Sequence, residues 1–332
     1  MVNSKIRIRM ILAACGVALL IAAAVVVVVA SRNRQQSLPP SEVPVTVSPG
    51  EVCVKAVQRK TEPTAQDGVV VASDAVAVVC GADPKAADSY EARNDALRSI
   101  ARRRDLPEKD VAALMEYVAE TSCVMRVERE AALKNDVLNL LRNQMRQPEG
   151  LADLLLDMVA SKQHAPVIID YCIQHLGAMV GLIPDDPTKA RICETLVAAA
   201  EDIGETYSGT ALYSLAEMPN KSKSESDELR RLTVAACGES ANPIARISAI
   251  QLAGERGYRE TLPMLRGILA GTRRDAVLDM AVVGSIGLLG DASRDVQLLE
   301  SFRSRGGRRL KTAIDSAVQR IKERDSARKA KR

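Results

Sequence analysis

Between residues 242 and 322 the apolar positions repeat themselves. Ile247, Ile250, Ala253, Gly254, Gly257, Leu265 and Leu269 are echoed, at a constant offset of 33, by Met280, Val283, Ile286, Gly287, Gly290, Leu298 and Phe302. A third partial copy follows as Ala313, Ile314, Ala317 and Val318, and looser copies precede at Leu212, Leu215, Ala216 and at Tyr171, Ile173, Leu176, Gly177. Intervals of three and four residues within each copy are the period of an amphipathic helix. Each copy reads as a helix pair that cannot bury both of its faces alone, so neighbouring pairs stack into a continuous core.

Helix starts are marked along the chain from Asp83 onward. Asp83-Pro84, Asp186-Pro187 and Asn242-Pro243 each place a capping side chain before a proline suited to the first helical position, and Pro107, Pro148 and Pro166 open further helices. The prediction is all-α beyond residue 83, with small residues at 253, 254, 284 and 287 letting helices approach closely. Such packing is needed, because the chain of 332 residues has no Trp, one Phe and six Tyr.

The string from Ala245 to Gly254, then Gly257, then Leu262-Pro263-Met264-Leu265, resembles the HEAT-like (PBS-lyase-type) repeat superfamily: an Arg-x-x-Ala helix, a Gly turn and a Leu/Pro-containing second helix. The resemblance is clear over 242–322 and loose over 84–240. It implies a right-handed α-solenoid that binds other proteins, with the concave face formed by second helices near residues 226–236, 260–270 and 293–303 as the docking surface. Tetratricopeptide and ankyrin arrays have similar periods but need a Trp-x-x-Leu-Gly or a Thr-Pro-Leu-His pattern, and neither is present.

Upstream the pattern changes. Met10 to Ala30 are uncharged residues in unbroken succession, long enough as a helix to span roughly 30 Å of hydrocarbon. Lys5, Arg7 and Arg9 precede this run and Arg32 and Arg34 follow, a bias toward a cytoplasmic amino terminus. A cleavable signal peptide ending at Val28-Val29-Ala30 and a lipobox at Leu12-Ala13-Ala14-Cys15 compete with the uncleaved anchor; all three put the array outside the cytoplasm, periplasmic in a bacterium. The organisation predicted is a basic cytoplasmic stretch at 1–9, a single-pass anchor at 10–30, a proline-rich linker at 31–50, and a valine-rich β-hairpin or irregular module at 51–82. The helical repeat domain then covers 83–325 and a basic tail 326–332.

Charge sharpens this picture. Residues 303–332 carry twelve Lys/Arg against three acids, while 35–302 carry 29 against 39, so the overall +4 conceals an acidic array with a basic end. Arg303, Arg305, Arg308, Arg309, Arg328, Lys329, Lys331 and Arg332 are candidates for contact with an anionic surface such as phospholipid or envelope polymer. Leu310 to Ile321 retain an apolar stripe that caps the array, leaving Lys322 onward as a solvated tail. Nucleic acid is disfavoured, because aromatics that would stack on bases are missing.

Candidate chemistry is sparse. No Gly-x-x-x-x-Gly-Lys, His-Glu-x-x-His or Gly-x-Ser-x-Gly element occurs, and Val283-Gly284-Ser285-Ile286-Gly287 lacks the first glycine of the last. Cys172 and His175 have metal-ligand spacing, with His164 and Cys193 as further donors, but core packing explains them more simply. Asp185-Asp186 reads as helix capping. Cys53–Cys80 and Cys172–Cys193 are the disulfide pairs that would close short loops; the competing reading is small buried thiols in a helical array, and for Cys123 and Cys237 it is at least as strong. No cofactor is expected. The function predicted is a membrane-anchored, non-catalytic scaffold. A cytoplasm-facing adaptor using the basic end and a metal-dependent enzyme around Cys172 and His175 are the alternatives.

Overall fold

The computed structural model describes residues 73–330 except 84–85, 184–186, 220, 273–274 and 306. All of them belong to one unit, Gln66–Arg332. The anchor at 10–30, the linker at 31–50, Cys15, Cys53 and most of the valine-rich module lie outside the described residues, as do Asp185, Asp186, Lys331 and Arg332.

Among the described residues fourteen α-helices follow one another: α1 Asp74–Val79, α2 Tyr90–Ile100, α3 Glu108–Ala119, α4 Val127–Arg142, α5 Leu151–Ser161, α6 Pro166–Met179, α7 Pro187–Glu201, α8 Ser208–Glu217, α9 Lys223–Ala236, α10 Pro243–Arg256, α11 Leu262–Ala270, α12 Ala276–Leu289, α13 Asp295–Phe302 and α14 Arg308–Ala330. Short 3₁₀ turns, Arg259–Thr261 and Arg303–Arg305, lead into α11 and follow α13. No strand occurs among the described residues, and no helix among them is long and apolar enough to cross a membrane.

The helices form two layers. In the first, α2, α4, α6, α8, α10, α12 and α14 each pack on the next. The odd-numbered helices form the second, each packed on the even-numbered helix that follows it. The 33-residue period survives in the coordinates: α10 and α12 start at 243 and 276, and α11 and α13 start at 262 and 295.

Glycine sets the spacing in the first layer. A Cβ on Gly254 of α10 would lie 3.0 Å from the Ser285 Cα of α12, and one on Gly287 of α12 would lie 2.9 Å from the Ala317 Cα of α14. Gly177 of α6 meets Ser214 of α8 in the same way, and Gly209 of α8 meets Ser248 and Ala245 of α10. These helices touch backbone to backbone, so dispersion contacts between main chains replace the missing aromatics. Gly284 departs from the prediction, because no atom lies within 4 Å of where its Cβ would stand. It faces outward.

Among the described residues side-chain caps open α2, α9, α10 and α12, and the Asn242 cap of α10 is one the sequence marks. Asn242 accepts a hydrogen bond from the Ile244 N–H ahead of Pro243, and Pro166 and Pro187 are first helical residues. Asp275 receives the N–H groups of Val277 and Leu278, and Ser222 with Glu225 forms a reciprocal capping box. Two boundaries are corrected. The helix expected after Asp83 begins at Tyr90, where the Ser89 hydroxyl accepts from the Ala92 N–H. Val76 to Val79, assigned to a β-rich module, are helical, because Val76 and Val79 fall three apart and both bury against the array.

Candidate interaction surfaces

The region that sequence reasoning missed is a cluster of charges sealed between α1 and α4. Arg93, Asp110, Glu130 and Lys134 are all at most 2% exposed. The Tyr117 hydroxyl donates to Glu130 Oε1 at 2.6 Å, and Arg93 Nη1 stands 3.6 Å from Glu130 Oε2. The Arg93 guanidinium and the Lys134 ammonium lie 4.9 and 5.3 Å from the Tyr117 ring centroid. Each cation also takes up main-chain carbonyls at helix ends or in the turn before α2. Arg93 donates to the oxygens of Val79 and Ala87, and Lys134 to those of Val118 and Glu120. Burial pushes the Tyr117 hydroxyl up, with the Glu130 hydrogen bond adding to it, and burial pulls Lys134 down. Such a network ties four helices into one register. No periodicity announces it.

The expected cysteine and histidine positions are also buried. Cys172 and His175 sit on the inner side of α6. His175 Nε2 is 3.1 Å from Asn135 Oδ1 of α4, and burial, with Arg142 nearby, pulls the imidazole down to about 4. Burial pushes the Cys172 thiol up to about 12 and Cys80 up to about 11. Among the described residues neither forms a disulfide; Cys80 Sγ donates to the Ala113 carbonyl, Cys193 is half-buried on α7, and Cys123, expected to be buried, is exposed on the loop before α4. His164 is buried in the turn before α6, its imidazole pulled down by burial. No group of three or more His, Cys, Asp or Glu side chains among the described residues is placed to hold a metal ion.

The second-helix segments expected to dock a partner are α9, α11 and α13 with their flanking turns. Ion pairs run across them: Arg231 to Glu201 of α7 at 2.9 Å, Arg230 to Glu260 of the 3₁₀ turn, and Arg266 of α11 to Asp295 of α13 through bonds of 2.7 and 2.9 Å. Asp295 is fully buried and also accepts the Asp291 N–H. Between α11 and α13 an open groove of about 560 Å³ is lined by Pro263, Arg266, Gly267, Arg294, Gln297 and Ser301 among others. Its floor opens where Gly267 lacks a side chain.

The basic end is more ordered than its composition suggests. Leu310, Ile314, Ala317, Val318 and Ile321 bury against the array, as predicted for a cap. The helix then continues to Ala330, so Lys322 to Ala330 are helical rather than a loose tail. Arg324 pins this extension by donating to the carbonyls of Gly287 and Gly290 at the end of α12. Arg259 does the same for Leu289, and Arg256 for Ala216. Arg303 is engaged by Glu300 and Asp315, and Lys329 by Asp325. Arg308, Arg309 and Arg328 are exposed, with the first and last about 30 Å apart along α14. Arg305 ends the 3₁₀ turn.

No family model matches the chain, and no curated protein matches it. Among solved structures, human deoxyhypusine hydroxylase in complex with glycerol aligns over 75% of this chain and 96% of its own, at 14% identity and a TM-score of 0.31. That likeness is too loose to carry an argument. The helical-repeat architecture rests on the chain's own stacked pairs.

Proposed function

We propose that this protein is a membrane-anchored HEAT-like scaffold that is not itself an enzyme and binds another protein on the extracytoplasmic side. Residues 10–30 are the single-pass anchor, 31–50 the stalk, and the helical array the displayed domain. The observation that carries the reading is the second-helix face, where consecutive helices present paired and unpaired charges around an open groove, as a peptide-binding solenoid surface would. Arg294 and Gln297 point the recognition toward carboxylates and backbone carbonyls.

The test compares partners recovered with the full chain from native membranes against those recovered with Arg294→Glu and Gln297→Ala together. Loss of a specific partner from the variant, with the array still folded by circular dichroism, supports the reading. An identical set of partners from both chains contradicts it.

A second reading is favoured by the exposed arginines of α14: an anionic surface is contacted by Arg308, Arg309, Arg320 and Arg328. Replacing all four with Gln should abolish salt-sensitive binding to anionic vesicles. Equal binding by both chains would discard it.

A further inference from the structure

Helix α12 is built unlike the others. Asp279 is the one ionisable residue among its fourteen, and it is buried. A helix apolar all round belongs inside a core. Yet one face of α12 is uncovered: Val277 is 44% exposed, Met280 38% and Leu288 40%. These three share a stripe with Gly284, at spacings of three, seven and eleven residues from Val277. Gly284 has no atom within 4 Å of its Cβ position, so it forms a notch between the Met280 and Leu288 knobs.

The neighbours in the layer present corresponding stripes of different chemistry. On α10 the residues 33 positions earlier are Ile244, Ile247, Gln251 and Glu255. On α14 the exposed residues at the same three-, seven- and eleven-residue spacing are Arg309, Thr312, Ser316 and Arg320. The face therefore runs from an apolar and acidic flank, across an uncharged stripe, to a basic flank.

We propose that this face binds a second copy of the chain, α12 against α12, about a two-fold axis running along α12. That axis exchanges left for right while keeping the helix direction, so α10 of one copy lies over α14 of the other. Glu255 then meets Arg320 of the partner copy, and like residues of the two α12 helices meet at the same height, Met280 on Met280 and Leu288 on Leu288, with the two Gly284 notches facing each other between them. A two-fold axis across the helices would instead oppose α14 with α14 and bring arginine against arginine. Charge complementarity selects the first arrangement. Three adjacent helix faces about 21 Å long and 9–10 Å apart offer on the order of 600 Å² per copy, near the lower bound for a specific interface.

The experiment is sedimentation of the full chain in mild detergent, compared with Met280→Asp, Glu255→Arg, and Glu255→Arg combined with Arg320→Glu. The parent should sediment at twice its 35.7 kDa. Met280→Asp should raise the dimer dissociation constant at least about tenfold, Glu255→Arg should weaken the dimer, and the charge-exchanged pair should restore it. Gly284→Cys on a Cys123→Ser background should give a covalent dimer with a short bis-maleimide. A parent that stays monomeric overturns the proposal. So does a dimer that persists unchanged through Met280→Asp, since the contact would then lie elsewhere, for instance at residues 10–30.

Discussion

Replacing Gly287 with alanine asks whether backbone contact between first helices holds the array together. In a helix interior the change from Gly to Ala is worth about 0.8–1.0 kcal/mol through propensity alone. At Gly287 the new methyl would stand 2.9 Å from the Ala317 Cα, against the roughly 3.5–4.0 Å at which carbon atoms rest. Helices α12 and α14 must then separate by most of an ångström, with an overpacking cost of about 1–3 kcal/mol. Gly267 supplies the control. It lies inside α11 with nothing near its Cβ position, so Gly267→Ala should gain the propensity term unopposed. The difference between the two variants isolates the packing cost, and Gly287→Ala should be the less stable by about 1–3 kcal/mol. Urea unfolding followed by circular dichroism gives the totals. Hydrogen exchange should place the loss in α12 and α14, because repeat arrays unfold by neighbouring units. Equal stability of the two variants would refute the idea that main-chain contact sets the spacing.

Other consequences follow from the buried polar groups. Arg266→Ala should destabilise the C-terminal repeats by about 3–5 kcal/mol by leaving Asp295 buried without its cation, whereas Arg231→Ala, on the exposed surface, should leave the unfolding midpoint nearly unchanged; chemical unfolding distinguishes them. His175 is held neutral, its folded value near 4 lying below the unfolded 6.5. Its contribution is therefore complete above about pH 6.5 and lost as pH falls toward 4, on the order of 3 kcal/mol, and His175→Gln should flatten that part of the stability–pH curve. Tyr117→Phe should leave the Glu130 carboxylate short of a donor and destabilise α1 to α4 by about 1–3 kcal/mol, with faster hydrogen exchange confined there. Cys172 and Cys237 are fully buried, each pushed up to about 12 by burial, and should react with maleimide only on unfolding, whereas exposed Cys123 should react at once.

Much of this fold was legible because it repeats. A 33-residue offset in apolar positions located α10 to α13, and Asn242 and Pro166 marked helix starts by local chemistry that needs no tertiary information. Equivalent positions nevertheless serve different ends. Gly257 closes α10 with φ of +78°, while Gly290 keeps an ordinary φ and is required because a Cβ would strike the Asp295 carboxylate. Gly284 looked like a packing glycine and faces outward, a distinction of helix phase that composition cannot supply. The cluster around Tyr117 was invisible for a different reason. Arg93, Glu130 and Lys134 read as ordinary surface charges in isolation, and only the meeting of α2, α3 and α4 buries them. Helix α14 outran its apolar stripe because Arg324 found carbonyls on α12, a long-range contact without local signature.

The proposed display of the array outside the cytoplasm can be read at Cys123, the exposed thiol on the loop before α4. Intact cells are treated with a membrane-impermeant reductant and maleimide, alongside cells carrying Cys123→Ser. An extracytoplasmic array gives labelling of the parent without permeabilisation and none in the variant. Labelling of Cys123 that appears only after the cells are opened would place the array in the cytoplasm and contradict the proposal.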